Sequence, residues 1–298
     1  MKPLFPIILF TYNRPTHTRT TIEALLKNPL ASQCDFFVFA DGAKNEIDLP
    51  KVQEVHQYLQ NVSGFRQVHL TLRQENKGLA NSVIEGVGKV LENYPAVIVM
   101  EDDMICATNF LDFMQEALTK YASHSTIFSV TGYTFPIAFP ADYRQDVYLS
   151  PRPSSWGWGT WRDRWAKVDW QVQDFHTFIQ DKRQRQQFNQ GGEDLSVMLL
   201  RQQRGEINSW AIRWAYTHFK QGGYCLYPTQ SKIRNIGADK SGTHTPATGK
   251  YDVDLHDSPY ILPALPAPDE RVIRHFQYFF RRSFIRKAIN WWKYGFRV

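Results

Sequence analysis

The stretch AVIVMEDDMI, residues 96–105, decides the architecture. Its first five residues are apolar without polar alternation, the pattern of a strand covered on both faces, as in a parallel sheet. Three adjacent carboxylates follow at the carboxyl end of that strand: Glu101, Asp102 and Asp103. At an effective dielectric constant of about 20, two such charges ~5 Å apart repel by about 3 kcal/mol. Two readings answer that repulsion. The triplet is a solvated acidic turn favoured by the N-terminus of a helix starting near Thr108, or it waits for a divalent cation, with oxygen ligands suited to Mg2+ or Mn2+.

Upstream of this stretch, strand-like and helix-like segments alternate. Strands are expected at 6–12, 35–40 and 68–72. Helices are expected at 16–27 (Ile22, Leu25 and Leu26 on one side), 50–61 (Val52, Val55, Leu59) and 77–92 (Leu79, Val83, Val87, Val90). Downstream come a helix over about 108–121 and a strand at 127–132. Such alternation implies βαβ units, so the fold class is α/β with a mostly parallel, doubly wound sheet. In these sheets ligands bind beyond the carboxyl ends of the strands. Thr11-Tyr12-Asn13-Arg14, Asp41-Gly42 and Glu101-Asp102-Asp103 should therefore meet in one crevice.

The 298 residues are 43% hydrophobic and 21% charged, an ordinary globular composition, but 14% are aromatic, which leaves rings for stacking surfaces beyond the core. Cys34, Cys106 and Cys225 are odd in number and form no CxxC pair. This argues against a disulfide framework or structural zinc site and for a reducing, cytosolic compartment. The apolar LFPIILF (4–10) is too short and Pro-interrupted for a signal peptide, and no run approaches the roughly 18 residues of a membrane span. No GxGxxG follows a strand and no GxxxxGK[ST] occurs, so neither a dinucleotide site nor a P-loop is expected. The net charge of +6 sits in residues 271–298, which hold eight Lys/Arg and no acid; the remainder carries −2. A body near neutrality argues against nucleic-acid binding.

In order along the chain, PIILFTYNRP, FFVFADG, ENKGLANSVIEG, AVIVMEDDMICATNFLDFM and SVTGY resemble the nucleotide-sugar half of GT-A glycosyltransferases. The series is most similar to inverting enzymes of the N-acetylglucosaminyltransferase I type and bacterial transferases related to them, in which an EDD triplet stands in place of the DxD motif. The resemblance spans about residues 5–245. It implies a nucleoside-diphosphate-sugar donor, UDP-linked, with Asp103 binding Mn2+ or Mg2+ and Glu101 and Asp102 contacting the donor's sugar and ribose. Thr11, Asn13 and Arg14 would hold the nucleotide, Asp41 would accept from the base, and Lys77 and Gly78 would meet the anionic donor at a helix start. Each of these also has an ordinary structural reading, as turn or helix-cap chemistry.

The second half, from 133, reads as aromatic and Gly/Pro-containing loops, with a helix after Gly192 and a strand near 223–228. SSWGWGTWRDRWAKVDW (154–170) holds five of the nine tryptophans. Trp161 and Trp165 are expected in the core, whereas Ser155, Trp156, Gly157 and Trp158 are expected to line the site on a loop closing over the donor. In GGEDLSVMLL (191–200), the resemblance implies an acidic base at the helix start to take the acceptor hydroxyl's proton, Asp194 first and Glu193 second; first-turn acids are also simply favoured by the helix dipole. The late loop 231–245 ends in His244, a candidate to complete the metal shell, with Arg234 and Lys240 near it in sequence.

Four segments are expected: 1–132, the nucleotide-sugar half; 133–257, the acceptor half of the same domain; 258–270, a Pro-rich linker; and 271–298, a basic aromatic helical tail. As one helix the tail would gather Phe276, Phe280, Phe284 and Trp291 in an ~80° sector, with Arg282, Arg286 and Lys293 away from it and Lys287 interrupting the apolar face. This suits an anionic membrane surface. The expected protein is a metal-dependent inverting transferase held at the inner face of a membrane. It would add a hexosyl or N-acetylhexosaminyl unit to a glycan or lipid-linked acceptor in surface polysaccharide synthesis. A sugar nucleotidyltransferase would need a Gly-rich loop after the first strand, where FTYNRPTHT has none. A non-catalytic glycan-binding module would leave the carboxylate triplet unexplained.

Overall fold

A computed structural model describes residues 4–237 and 249–295. Eight strands form the main sheet. In spatial order they are β3 (Gln67–Leu72), β2 (Asp35–Ala40), β1 (Ile7–Thr11), β4 (Ala96–Glu101), β8 (Trp158–Trp161), β6 (Ile127–Thr131), β9 (Tyr224–Pro228) and β7 (Val147–Ser150). The first four run parallel, and β6 and β9 share their direction; β8 and β7 run antiparallel to their neighbours. A two-stranded ribbon pairs β5 (Met104–Cys106) with β10 (Ile233–Asn235). This is the mostly parallel α/β sheet that AVIVM demanded.

Strand periodicity explains why β1 and β4 lack polar alternation: both of their faces are covered. Ile7 and Leu9 point to one side, where α1 (Pro15–Leu26), α2 (Leu49–Leu59) and α4 (Phe110–Lys120) pack. Ile8 and Phe10 point to the other, against α3 (Leu79–Leu91) and a tryptophan cluster. Register then sets the working edge. Thr11 pairs with Ala40 and Phe10 with Glu101, so β1, β2 and β4 end level and release their polar residues side by side.

The chain beyond residue 133 is more regular than its composition suggests. Among the described residues it contains β7 to β10 and seven α-helices: α5 (Arg162–Trp165), α6 (Phe175–Gln180), α7 (Lys182–Phe188), α8 (Leu195–Gln203), α9 (Trp210–Lys220) and, after the Pro-rich segment, α10 (Glu270–Phe279) and α11 (Phe284–Tyr294). That segment is laced to the body. Lys120 donates to the Leu262 carbonyl, Tyr121 to the Pro263 carbonyl at 2.7 Å, and Leu262 is buried.

The tail is not one helix. The chain turns between Phe280 and Ser283, and Ser283 caps a further helix, α11 (Phe284–Tyr294), by accepting from Arg286 N. Val272, Phe276 and Phe280 of the first piece enter the main core, so the expected four-aromatic face divides: Phe276 and Phe280 are buried, and Phe284 and Trp291 are exposed. In α11 the usual amphipathic order is inverted. Lys287, Asn290 and Tyr294 face the body, while Phe284, Ile285, Ile289, Trp291 and Trp292 spread over an outward arc of about 160°. Phe284 and Trp292 are 83% and 84% exposed.

Candidate active site

The expected convergence occurs at the ends of β1, β2 and β4. Arg14 is the hub. Its Nη2 donates to Asp102 Oδ1, and both terminal nitrogens donate to Asp103 Oδ2 at 3.1 Å. Asp102 is saturated further by Thr11 Oγ1 (3.2 Å) and Tyr12 N (3.3 Å). Burial raises the Asp102 pKa, with Arg14 working against that shift. Burial would lower the pKa of Arg14, but the two aspartates outweigh it and raise the pKa. Glu101 has no hydrogen-bonded cation among the described residues; burial, then Asp103 and Asp102, push its carboxyl up to about 8 against the opposing charge of Arg14. The triplet does not cap the next helix: Thr108 N and Oγ1 there take Asp257, at 2.6 and 2.8 Å.

Asp103 differs from Asp102 in one respect. Its Oδ1 is buried yet has no hydrogen-bond partner among the described residues, while Oδ2 takes Arg14. The Ile233–Asn235 ribbon brings Gly237 directly over it. A Cβ at Gly237 would stand 2.1 Å from Asp103 Oδ2, so only glycine fits there. Among the described residues no three His, Cys, Asp or Glu side chains are arranged to hold a metal. The orphaned Oδ1 could serve a cation held through one protein carboxylate, the usual habit of Mg2+. His244 and Lys240 lie outside the described residues.

Asp41 orders the far wall. Its carboxylate accepts from Lys77 N (2.9 Å), Gly78 N (2.8 Å) and Gly42 N (3.2 Å), fixing the turn into α3. Gly78 sits at φ +75°, a conformation costly for other residues. The Lys77 side chain is exposed, so its main-chain N–H is what this turn uses. Asn13 donates to Asp48 at 2.6 Å, and the Tyr12 hydroxyl also donates to Asp48, at 2.9 Å. These walls enclose a cavity of about 330 Å³ that includes Thr11, Tyr12, Arg14, Asp41, Glu101 and Asp102. Asn208, from the loop before α9, closes its rim.

A second cavity, about 340 Å³, is lined by Arg152, Ser155, Trp156, Met198, Tyr251 and Phe280 among others. At its edge Asp194 opens α8. Arg152 grips Asp194 through two bonds, Nη1 to Oδ1 (2.8 Å) and Nη2 to Oδ2 (2.9 Å), and stacks its guanidinium 4.0 Å from the centre of the Phe280 ring. Burial alone would raise the Asp194 pKa, but Arg152 overrides it and holds the carboxylate below its ordinary range. Gly192, at φ +139°, lets this pair close: a Cβ there would meet Arg152 Nη1 and Asp194 Oδ1 at 2.6 Å. Glu193 turns to the tail instead, accepting from Arg282 N and Lys287 Nζ, both at 2.8 Å.

Three expected donor contacts fall elsewhere. Trp158 lies on β8, not on a closing loop. It is fully buried and stacks on Trp210 at 5.0 Å because β8 inserts between β4 and β6. Gly157 packs beneath Ile233 and Phe110, where a Cβ would lie 2.5 Å from Ile233. Trp156 is half-buried and lines the second cavity, its ring edge-on to Tyr133. Trp161 and Trp165 are core residues. Sequence reasoning missed Arg152, which a Pro-flanked loop carries without any period, and Asn208, Tyr251 and Phe280. Tyr12 alone had a signal, its place inside the Thr11–Arg14 cluster.

The fold, the level carboxyl edge and the acidic triplet define a GT-A transferase. The glycosyl transferase family 2 model matches residues 7–179, and the chain belongs to that family. No curated protein matches the chain. Among solved structures it is similar to S. aureus TarS, with 10% identity, a TM-score of 0.38, and coverage of 77% of this chain and 36% of that one. The chain thus spans about a third of that protein's length.

Proposed function

We propose that this chain is a metal-dependent inverting glycosyltransferase that uses a uridine-diphosphate sugar. The donor would occupy the crevice of Thr11, Asn13, Arg14, Asp41, Lys77, Gly78, Glu101 and Asp102. The observation that carries this reading is Asp103, whose buried Oδ1 is unsatisfied at the carboxyl end of the central strand. A Mn2+ or Mg2+ ion there would offset the charge of the departing diphosphate. Asp103 would hold the ion, and Arg14 would share the negative charge on that side.

Asp194 is the proposed base, with Glu193 the second candidate. Arg152 holds Asp194 ionised and fixes its plane, and each carboxylate oxygen keeps a lone pair beyond the one that Arg152 uses. Asn208 lines the donor crevice and Trp210 the aromatic cavity, so two neighbouring positions at the start of α9 serve both spaces. An acceptor sugar stacked in the second cavity would attack the anomeric carbon from the face opposite the diphosphate. The transferred unit would be a hexosyl or N-acetylhexosaminyl group.

No helix among the described residues is long and apolar enough to cross a membrane. The outward apolar arc of α11, flanked by Arg286 and Lys293, instead favours peripheral attachment to an anionic membrane surface, at its cytoplasmic face. Such attachment suits a glycan or lipid-linked acceptor of surface polysaccharide synthesis. The test is calorimetric titration of uridine-diphosphate sugars with Mn2+ or EDTA, on wild type and Asp103→Asn. Metal-dependent binding that the variant loses supports the reading. Equal binding by the variant sinks the metal site, and a product of retained anomeric configuration sinks Asp194 as base.

A further inference from the structure

We propose that the groove between α10 and α11 binds a phosphoryl group, and that this group is the lipid-borne phosphate of the acceptor. The proposal rests on the transferase reading above and on its base. Tyr278, Arg281, Arg282, Ser283, Phe284 and Lys287 enclose about 420 Å³, and no acid lines the space. Lys287 is paired with Glu193, but the guanidinium groups of Arg281 and Arg282 have no hydrogen-bond or ion-pair partner among the described residues. Arg282 is nevertheless half-buried. A partly desolvated guanidinium with no hydrogen-bonded counter-charge is costly, and an anion in the groove would relieve it.

Three features narrow the ligand. Arg281 and Arg282 line the groove beside Ser283 and the Glu193-paired Lys287, and two planar forks with a hydroxyl suit the several oxygens of a phosphoryl group better than a carboxylate that one fork would satisfy. One wall is Phe284, the first residue of the outward apolar arc of α11, so an anion attached to a hydrocarbon chain meets both surfaces it needs. The groove also adjoins the proposed chemistry. Glu193 accepts from Arg282 N, and Glu193 and Asp194 both act on the Arg282 charge without pairing with its guanidinium. Phe280 lines the aromatic cavity and Arg281, the next residue, lines the groove. A sugar stacked against Trp156, its phosphate in the groove and its hydrocarbon on α11 would follow one continuous surface. This adjacency to the base favours the phosphate of an acceptor over a bilayer headgroup.

The test uses the full chain and hexyl phosphate, a monomeric lipid-phosphate probe, titrated calorimetrically with UDP and Mn2+ saturating to occupy the donor crevice. Saturable binding is expected, weakened at least tenfold in Arg281→Gln/Arg282→Gln and within twofold of wild type in Arg274→Gln/Arg286→Gln. The second pair removes the same charge from the two helices that flank the turn, outside the groove. Hexanoate should bind at least tenfold more weakly. Arg281→Gln alone, at an exposed position, should retain the fold and show part of the loss. Equal weakening by the two pairs, equal affinity for hexanoate, or hexyl phosphate binding that appears only when UDP is left out would overturn the proposal. Groove-dependent binding of phosphatidic-acid vesicles without binding of hexyl phosphate would make the ligand a bilayer headgroup and overturn the acceptor assignment. Titration of a uridine-diphosphate sugar into the same proteins with Mn2+ but without UDP separates the two readings: donor binding without hexyl phosphate binding sinks the groove alone, and the reverse sinks the donor reading alone.

Discussion

Arg152→Met tests whether Asp194 owes its charge to a single partner. In the native protein both carboxylate oxygens are held by Arg152, with side-chain exposures of only 14% and 19% for the pair. Methionine keeps an unbranched chain that can still lie on Phe280, so packing is largely conserved and the charge is what disappears. Removing one partner of such a buried pair costs ~3–5 kcal/mol, because the other charge stays desolvated and uncompensated. Asp194→Asn should cost about as much by stranding Arg152. The double variant should cost well under the sum of the two, with a coupling of ~2 kcal/mol or more.

The pH dependence supplies a sign that simple loss of packing cannot imitate. With Arg152 present, the folded-state pKa of Asp194 is depressed, so its stabilisation is complete above the unfolded value of ~3.9 and is lost as pH falls through the lower folded value. Without Arg152, burial is the largest remaining cause, opposed only by the Asp194 amide and Arg282, and that pKa rises. The variant then loses stability as pH rises above ~4, and the gap from wild type widens between pH 4 and 7. Urea unfolding at pH 4.5 and 7.5 on all four proteins measures both effects. A gap that is the same at both pH values, or additive single-variant costs, would refute the ion-pair argument.

Other outcomes follow from the same geometry. Glu101→Gln should raise the melting temperature at pH 8 more than at pH 5. The Glu101 carboxyl is pushed up to about 8, so its ionisation opposes folding progressively from its unfolded value to that pH, by roughly 2–4 kcal/mol; parallel pH profiles of the two proteins would contradict this. Trp158→Ala should cost ~3–5 kcal/mol in chemical denaturation, as expected of a fully buried ring between β4 and β6, whereas Trp156→Ala should cost far less and instead lower transferase turnover. Gly237→Ala should weaken Mn2+-dependent donor binding in calorimetry, since its Cβ would displace Asp103 Oδ2; unchanged binding would show that the 236–237 backbone yields freely. Trp292→Ala, at an 84% exposed position, should leave urea unfolding unchanged while reducing co-sedimentation with anionic vesicles.

Much of the first half of the chain was legible because its signals are local and redundant. AVIVM requires two covered faces, and the alternation before it supplies the helices that cover them; once the sheet is parallel, the level ends of β1, β2 and β4 follow from register. Thr11, Arg14, Asp41 and the triplet could therefore be brought together without coordinates. Trp158 shows where that logic stopped. Glycines on both sides of an indole describe a mobile loop and an inserted edge equally well. The deciding fact is that Gly159 lies so close to the Val97 carbonyl that a Cβ would stand 2.7 Å from it, a contact made by a strand 60 residues away. Arg152 and Phe280 were illegible for the same reason, since their meaning arises only when residues 152, 194 and 280 meet. The tail combines both cases. Its period is helical throughout, and the break at Phe280–Ser283 appears only once Phe276 and Phe280 have found the main core. The buried face of α10 is then spent on the body. The apolar residues of α11, held outward by Lys287 on Glu193 and Lys293 on Glu206, are left without a protein partner among the described residues. A helix whose charged side faces its own domain and whose indoles face outward is costly in water, and a lipid surface removes that cost.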